Sequence, residues 1–180
     1  MPGTNKQEVT LGSGVLYIAE FTGGSVPQDS ILETEGNKIG GIKGGASISY
    51  KPTFYQVKDD ANIVYKTFLT DSEIVFKSGI LTWNTEVLKK LSLNGEVSDG
   101  SNKKTLKIGK NGAIKSYVIR FVHTKDDSKK IRITIVGTSQ NGFELVFDPE
   151  KETVIDAEFI AGTLDSDGTK LIIEEETAGE

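Results

Sequence analysis

The chain has 180 residues, 36% hydrophobic and 26% charged, with a formal net charge of −5. That composition suits one ordinary water-facing core, and the acidic balance excludes a general nucleic-acid coat, which needs a basic stripe. The absence of cysteine excludes a disulfide framework, a thiolate metal site and a Cys nucleophile, and no apolar run approaches the ~18 residues of a membrane span.

Residues 1–9 are polar and expected to be flexible, with no signal-peptide core, so synthesis in the cytoplasm is expected. Residues 14–21 read as the first strand, Val15, Tyr17 and Ala19 alternating with Leu16, Ile18 and Glu20. A long loop, 22–38, follows, with Pro27 and a short apolar break at Ile31-Leu32; loops of that length in compact domains are usually functional or disordered. Gly41 and Gly44-Gly45 then permit a bulge or sharp bend into a long hairpin over 46–69.

In that hairpin, 46–57 and 63–69 are rich in β-branched and aromatic residues, and Lys58-Asp59-Asp60-Ala61-Asn62 forms a polar tip. A run of about twelve residues at ~3.3 Å each reaches ~40 Å, longer than an ordinary strand. The rest of the chain has little with which to cover such an arm, and an exposed long edge invites pairing with another chain. Ile48, Tyr50 and Phe54 share one alternation phase; Ser47, Ser49, Lys51 and Thr53 share the other. In the return strand Ile63, Tyr65, Thr67 and Leu69 oppose Asn62, Val64, Lys66 and Phe68, so one apolar face and one wet face are expected. Pro52 cannot donate to a ladder and marks an edge, bulge or bend.

A separate strand is expected over 73–83, then a helix over 84–93. Asn84 is a good N-cap and Glu86 suits the positive end of the helix dipole; Val87, Leu88 and Leu91 share a face, with Lys89 and Lys90 turned to water. Asn94-Gly95 tolerates a left-handed ending. Residues 96–112 are turn-rich with a short strand at 104–108. The strongest hairpin is 115–124 with 130–138, where Tyr117, Ile119 and Phe121 stripe one phase, Ile131, Ile133 and Ile135 partner them, and Arg120 and Arg132 take the opposite phase. Strands at 143–147, 153–161 and 170–174 complete the reading, and 175–180 looks like a loose acidic tail. Nine to eleven regularly spaced strands with one helix predict a single all-β domain, a β-sandwich or barrel.

The search for chemistry returns ordinary structural explanations. His123 is the sole histidine and reads as a strand-end residue, since a two-His metal site or a His-paired nucleophile would need another chain. Asp59-Asp60 and Asp126-Asp127 sit at hairpin tips, where Asp bonds its own backbone. Asp165-Ser166-Asp167-Gly168 matches part of a calcium loop, but Thr163 occupies the first ligand position and no helices flank it, so a plain turn is expected. No phosphate-loop pattern occurs, and no catalytic constellation, metal or cofactor site is expected.

The order of Gly-Gly, long hairpin, a strand closing on Ile80-Leu81-Thr82-Trp83-Asn84 and an amphipathic Glu86-Val87-Leu88-Lys89-Lys90-Leu91 turn resembles the tail tube proteins (major tail proteins) of tailed bacteriophages and phage-tail-like particles, over roughly 14–174. The resemblance implies two packed antiparallel sheets with one flanking helix and an assembly hairpin. It implies closed hexameric rings stacked into a hollow tube whose acidic lumen holds the tape-measure protein and then conducts DNA. Tail terminator and distal-tail or baseplate proteins, and a sheath protein where the tail contracts, are the implied partners; the implied place is the virion tail, assembled in the bacterial cytoplasm. On this basis Ser47, Ser49, Lys51, Thr53, Tyr55, Lys58, Asp59, Asp60, Asn62, Val64, Lys66 and Phe68 are the expected inter-subunit residues, and the 22–38 loop would reach a neighbouring subunit or ring. Two alternatives stand beside it: another tail component with the tube fold, and a stand-alone carbohydrate- or cell-surface-binding β-sandwich with Trp83 and exposed tyrosines as its platform.

Overall fold

The computed structural model describes residues 12–109 and 111–177; the segment 1–9 lies outside them. In chain order the elements are β1 (Val15–Phe21), α1 (Asp29–Leu32), β2 (Ile42–Lys58), β3 (Val64–Ile80), α2 (Thr85–Leu91), β4 (Glu96–Asp99), β5 (Lys104–Lys107), β6 (Ser116–Thr124), β7 (Lys130–Ser139), β8 (Ile155–Ala161) and β9 (Ile172–Glu175). The fold is all-β. One antiparallel sheet runs β1-β6-β7-β8-β3-β2, β9 also pairs with β7, and β4-β5 form a small second sheet.

The large sheet folds back on itself to make a sandwich. β7 gives one edge to β6 and divides the other: Ile131–Thr134 pair with β9, whereas only Gly137, Thr138 and Ser139 pair with β8. At that corner a Cβ on Gly137 would lie 2.1 Å from the Ile160 carbonyl oxygen, so the close approach of β7 and β8 requires glycine. The layer β1-β6-β7-β9 thus faces the layer β8-β3-β2. Phe76 of β3 meets Phe121 of β6 across the interior at a ring separation of 6.2 Å, although two strands intervene in the sheet order. Leu16, Ile18, Ile119, Ile135, Ile155 and Phe159 fill the space between, at essentially zero exposure.

α2 closes one end of the sandwich, adding Val87, Leu88 and Leu91 to that core. Its start is as expected: Asn84 Oδ1 accepts from the amides of Glu86 and Val87, both at 3.0 Å. Its end is not. The helix stops at Ser92 in extended backbone, without a left-handed Asn94-Gly95, and the chain enters β4, a strand unexpected from the sequence. Lys90 does not turn to water; its Nζ donates to the Ile18 carbonyl at 2.6 Å, and burial holds its pKa below the ordinary lysine value.

The other face of β6 and β7 is covered too. Leu32 from α1 and Leu164 from the β8–β9 connection pack on Val118 and Val136. The 22–38 loop therefore contains a helical turn and docks on its own chain. Beside this patch Arg120 and Arg132, 3% and 9% exposed, are held by carboxylates at α1 and at β9. Arg120 donates to Thr134 Oγ1 at 2.9 Å and pairs with Asp29, Glu33 and Glu174; Arg132 pairs with Glu33 and with Glu176, both at 2.6 Å. Glu175 lies in β9 and Glu176 is ion-paired, so the start of the expected loose tail is anchored.

Two further differences follow from packing. Residues 143–147 alternate like a strand but find no ladder: Phe143 and Leu145 pack on the core while Val146 and Phe147 stay exposed. The strand expected over 73–83 is the second half of β3, which is continuous from Val64 and ends at Ile80.

Tyr117 offers a test of the interior. Its hydroxyl is buried with no hydrogen-bond partner among the described residues, and burial, reinforced by the Glu20 carboxylate, pushes its pKa up to about 12. An unfolded tyrosine titrates near ~10, so between those values the folded chain keeps a proton that the unfolded chain releases, and stability falls as pH rises. Tyr117→Phe is expected to hold neutral-pH stability within about 1 kcal/mol and to flatten that alkaline decline, read by urea unfolding at pH 8 and above 10.

Candidate assembly surface

β2 and β3 pair over almost their whole length, each strand 17 residues long. Near the body the hairpin is a normal part of the sheet: β8 pairs with Val75–Ile80, and Ile48, Ile74 and Phe76 face the core. Beyond Ile74 the support ends. Among the described residues β8 does not continue, the outer edge of β2 has no neighbouring strand, and residues 60–71 are all exposed. The distal arm stands clear of the sandwich with both edges unpaired in the sheet, and Pro52 sits on the edge strand its missing N–H demands.

Three bulges shape it. Gly44 and Gly45, at φ +78° and +73°, form the first at the root, as the glycine pair suggested. Thr70 and Tyr65 of β3 are skipped in the register at the other two: Thr53 opposes Asp71 while Phe54 opposes Leu69, and Val57 opposes Lys66 while Lys58 opposes Val64. The root is tied down by Lys170, whose Nζ reaches Asp71 Oδ1 at 3.1 Å and donates to the Ser72 carbonyl at 2.6 Å. A bond from the Ser72 amide, then Lys170, holds the Asp71 pKa below the usual carboxylate range.

The tip is built by Asp59. Its Oδ1 accepts from the amides of Ala61 and Ile63, at 3.0 and 2.8 Å, and Asn62 takes φ +65°. Asp60 points no such bond inward and is exposed. The expected inter-subunit residues all lie on this arm, and all but partly buried Asp59 are exposed. Ser47 and Ser49 sit at its root opposite Lys77 and Val75; Lys51 faces Glu73, Nζ to Oε1 3.7 Å; Tyr55 opposes Phe68, over whose ring Lys66 Nζ lies at 4.7 Å.

The expected division into one apolar and one wet face fails. Tyr50, Phe54 and Leu69 continue the core-facing side beyond the core, and Tyr55, Val57 and Phe68 occupy the other side; all are 38–61% exposed. With Ile63, Val64 and Tyr65 near the tip, the arm carries nine of the sixteen large hydrophobic side chains exposed among the described residues. Tyr50, Phe54, Tyr65 and Leu69 were not among the expected contact residues, because an apolar stripe reads by default as core.

Elsewhere the surface offers less. A groove at the arm's root is lined by Lys43, Ser47, Lys77, Asp156 and Glu158, but Lys43 pairs with Glu152 and Lys77 with Glu158, so its lysines are matched locally. His123 is buried with Nδ1 2.7 Å from the Ser13 carbonyl oxygen. Asp165 Oδ1 accepts from the amides of Asp167 and Thr169, a plain turn. Among the described residues no group of three His, Asp or Glu side chains converges on a metal position. Trp83 is half-buried against the core and meets Phe147 edge-on at 6.2 Å. Comparison with known proteins finds no matching family model and no matching curated protein.

Proposed function

We propose that this chain is a structural subunit of a phage tail tube or phage-tail-like particle, forming hexameric rings that stack around a lumen. One observation carries the reading: a two-stranded arm leaves the sandwich with edges unpaired among the described residues and with nine exposed large hydrophobic side chains. A solitary chain gains nothing from such an arm, whereas a repeating assembly buries its apolar surface and pairs its edges. The all-β sandwich and the flanking α2 agree with what the sequence resemblance implies. The role is structural rather than catalytic. Its partners are further copies of itself, the tape-measure protein within, and terminator and distal-tail proteins at the ends, with DNA only in transit.

Sedimentation over a concentration series tests the reading. The parent chain is expected to associate, and Asp60→Lys, at the exposed tip, to associate less while its unfolding midpoint stays that of the parent. Equal association by the two chains would remove the tip from the interface, and a single-copy sedimentation coefficient for the parent throughout would contradict self-assembly.

A further inference from the structure

We infer that the distal arm is inserted between two neighbouring copies of this chain, one against each face; the inference deepens the assembly reading and rests on it. The register supplies the geometry. Because β3 skips Thr70, Leu69 turns to the side of Phe54 and Tyr50, while Phe68 turns to the side of Tyr55 and Val57. An arm laid on one partner would keep a polar outer face, as half-covered antiparallel sheets do; this one has apolar side chains on both.

The areas point the same way. Aromatic side chains present about 150–250 Å² each, so nine large apolar side chains roughly half exposed amount to on the order of 900 Å². A stable interface takes about 800 Å² from each partner, and the largest apolar patch on an ordinary monomer is about 300–600 Å². The total exceeds that ordinary patch, which marks the arm as a contact surface, and it is divided between two faces rather than gathered on one. The occupant is a second copy rather than a partner of one charge sign, because residues 50–71 carry three lysines, Lys51, Lys58 and Lys66, against three aspartates, Asp59, Asp60 and Asp71. Such a surface repels neither itself nor a copy.

Two double variants separate the faces: Phe54→Glu with Leu69→Lys on one, Tyr55→Glu with Phe68→Lys on the other. Each places an acid opposite a base, so the arm's own ladder stays attractive. None of the four side chains belongs to the core, so both variants are expected to unfold at the parent's midpoint. In sedimentation and light scattering, each variant alone is expected to weaken association by about 100-fold or more, from two lost apolar anchors. The two are expected to stall at different sizes, since they break contacts with different neighbours. If either variant associates as well as the parent, two-sided insertion is overturned and the assembly reading survives. If the parent itself stays a single copy, both are overturned.

Discussion

A chain whose residues 54–70 are replaced by Asn-Gly is expected to fold normally and to lose self-association. The cut joins Thr53 to Asp71, which already oppose each other, through a two-residue turn suited to antiparallel strands. It spares Asp71 and Ser72 and therefore the Lys170 tether. No residue of either core cluster lies in the removed segment, so the unfolding midpoint is expected to match the parent within experimental error. The segment does hold eight of the arm's nine exposed large hydrophobic side chains, all but Tyr50. At about 25 cal/mol per Å², on the order of 800 Å² of apolar surface represents a gross gain of ~20 kcal/mol, before the cost of association is subtracted. Unchanged association of the shortened chain would move the interface to the sandwich itself.

The second large effect is expected at Arg120. Arg120→Met should lower the unfolding free energy by about 3 kcal/mol, the lower part of the range for breaking a buried ion pair. The lower part applies because the side chains of Asp29 and Glu174 are each 49% exposed and can turn to water, while Glu33, at 11%, keeps Arg132. The loss would fall first on α1 and β9, whose carboxylates the arginine ties to β6. Acid should weaken the same clasp. The Arg132 guanidinium, aided by the Lys130 amide, holds the Glu176 carboxyl below the usual carboxylate range. Its contribution is therefore present above that range and lost as pH falls through the depressed value. Urea midpoints measured at pH 7 and below pH 4 check both statements. A variant within about 1 kcal/mol of the parent would mean that the buried arginine adds no net stability.

The fold was legible where local pattern and turn chemistry agreed. Strict alternation on both sides of Lys125-Asp126-Asp127-Ser128-Lys129 identified β6 and β7, and Asn84 identified the start of α2. It was illegible where a distant partner decided the outcome. Thr70-Asp71-Ser72 reads as a break between strands, yet β3 runs through it because β2 pairs on one side and Lys170 grips the other. Residues 143–147 have a strand's alternation and no edge to join. The carboxylates that bury Arg120 and Arg132 lie 44 or more residues away, beyond the reach of any sequence window. Of the candidate surface, the existence and tip of the arm could be read, and so could apolar side chains on both faces, since Phe54-Tyr55 and Phe68-Leu69 are adjacent; which faces of the two strands coincide could not. A single bulged residue inverts the phase of everything beyond it, and a period of two carries no sign of where that residue falls.

Negative-stain electron microscopy of the purified, concentrated chain tests the tube assignment most directly. Six-fold rings or hollow tubes are the expected result; a field of single-copy particles at the same concentration would contradict it.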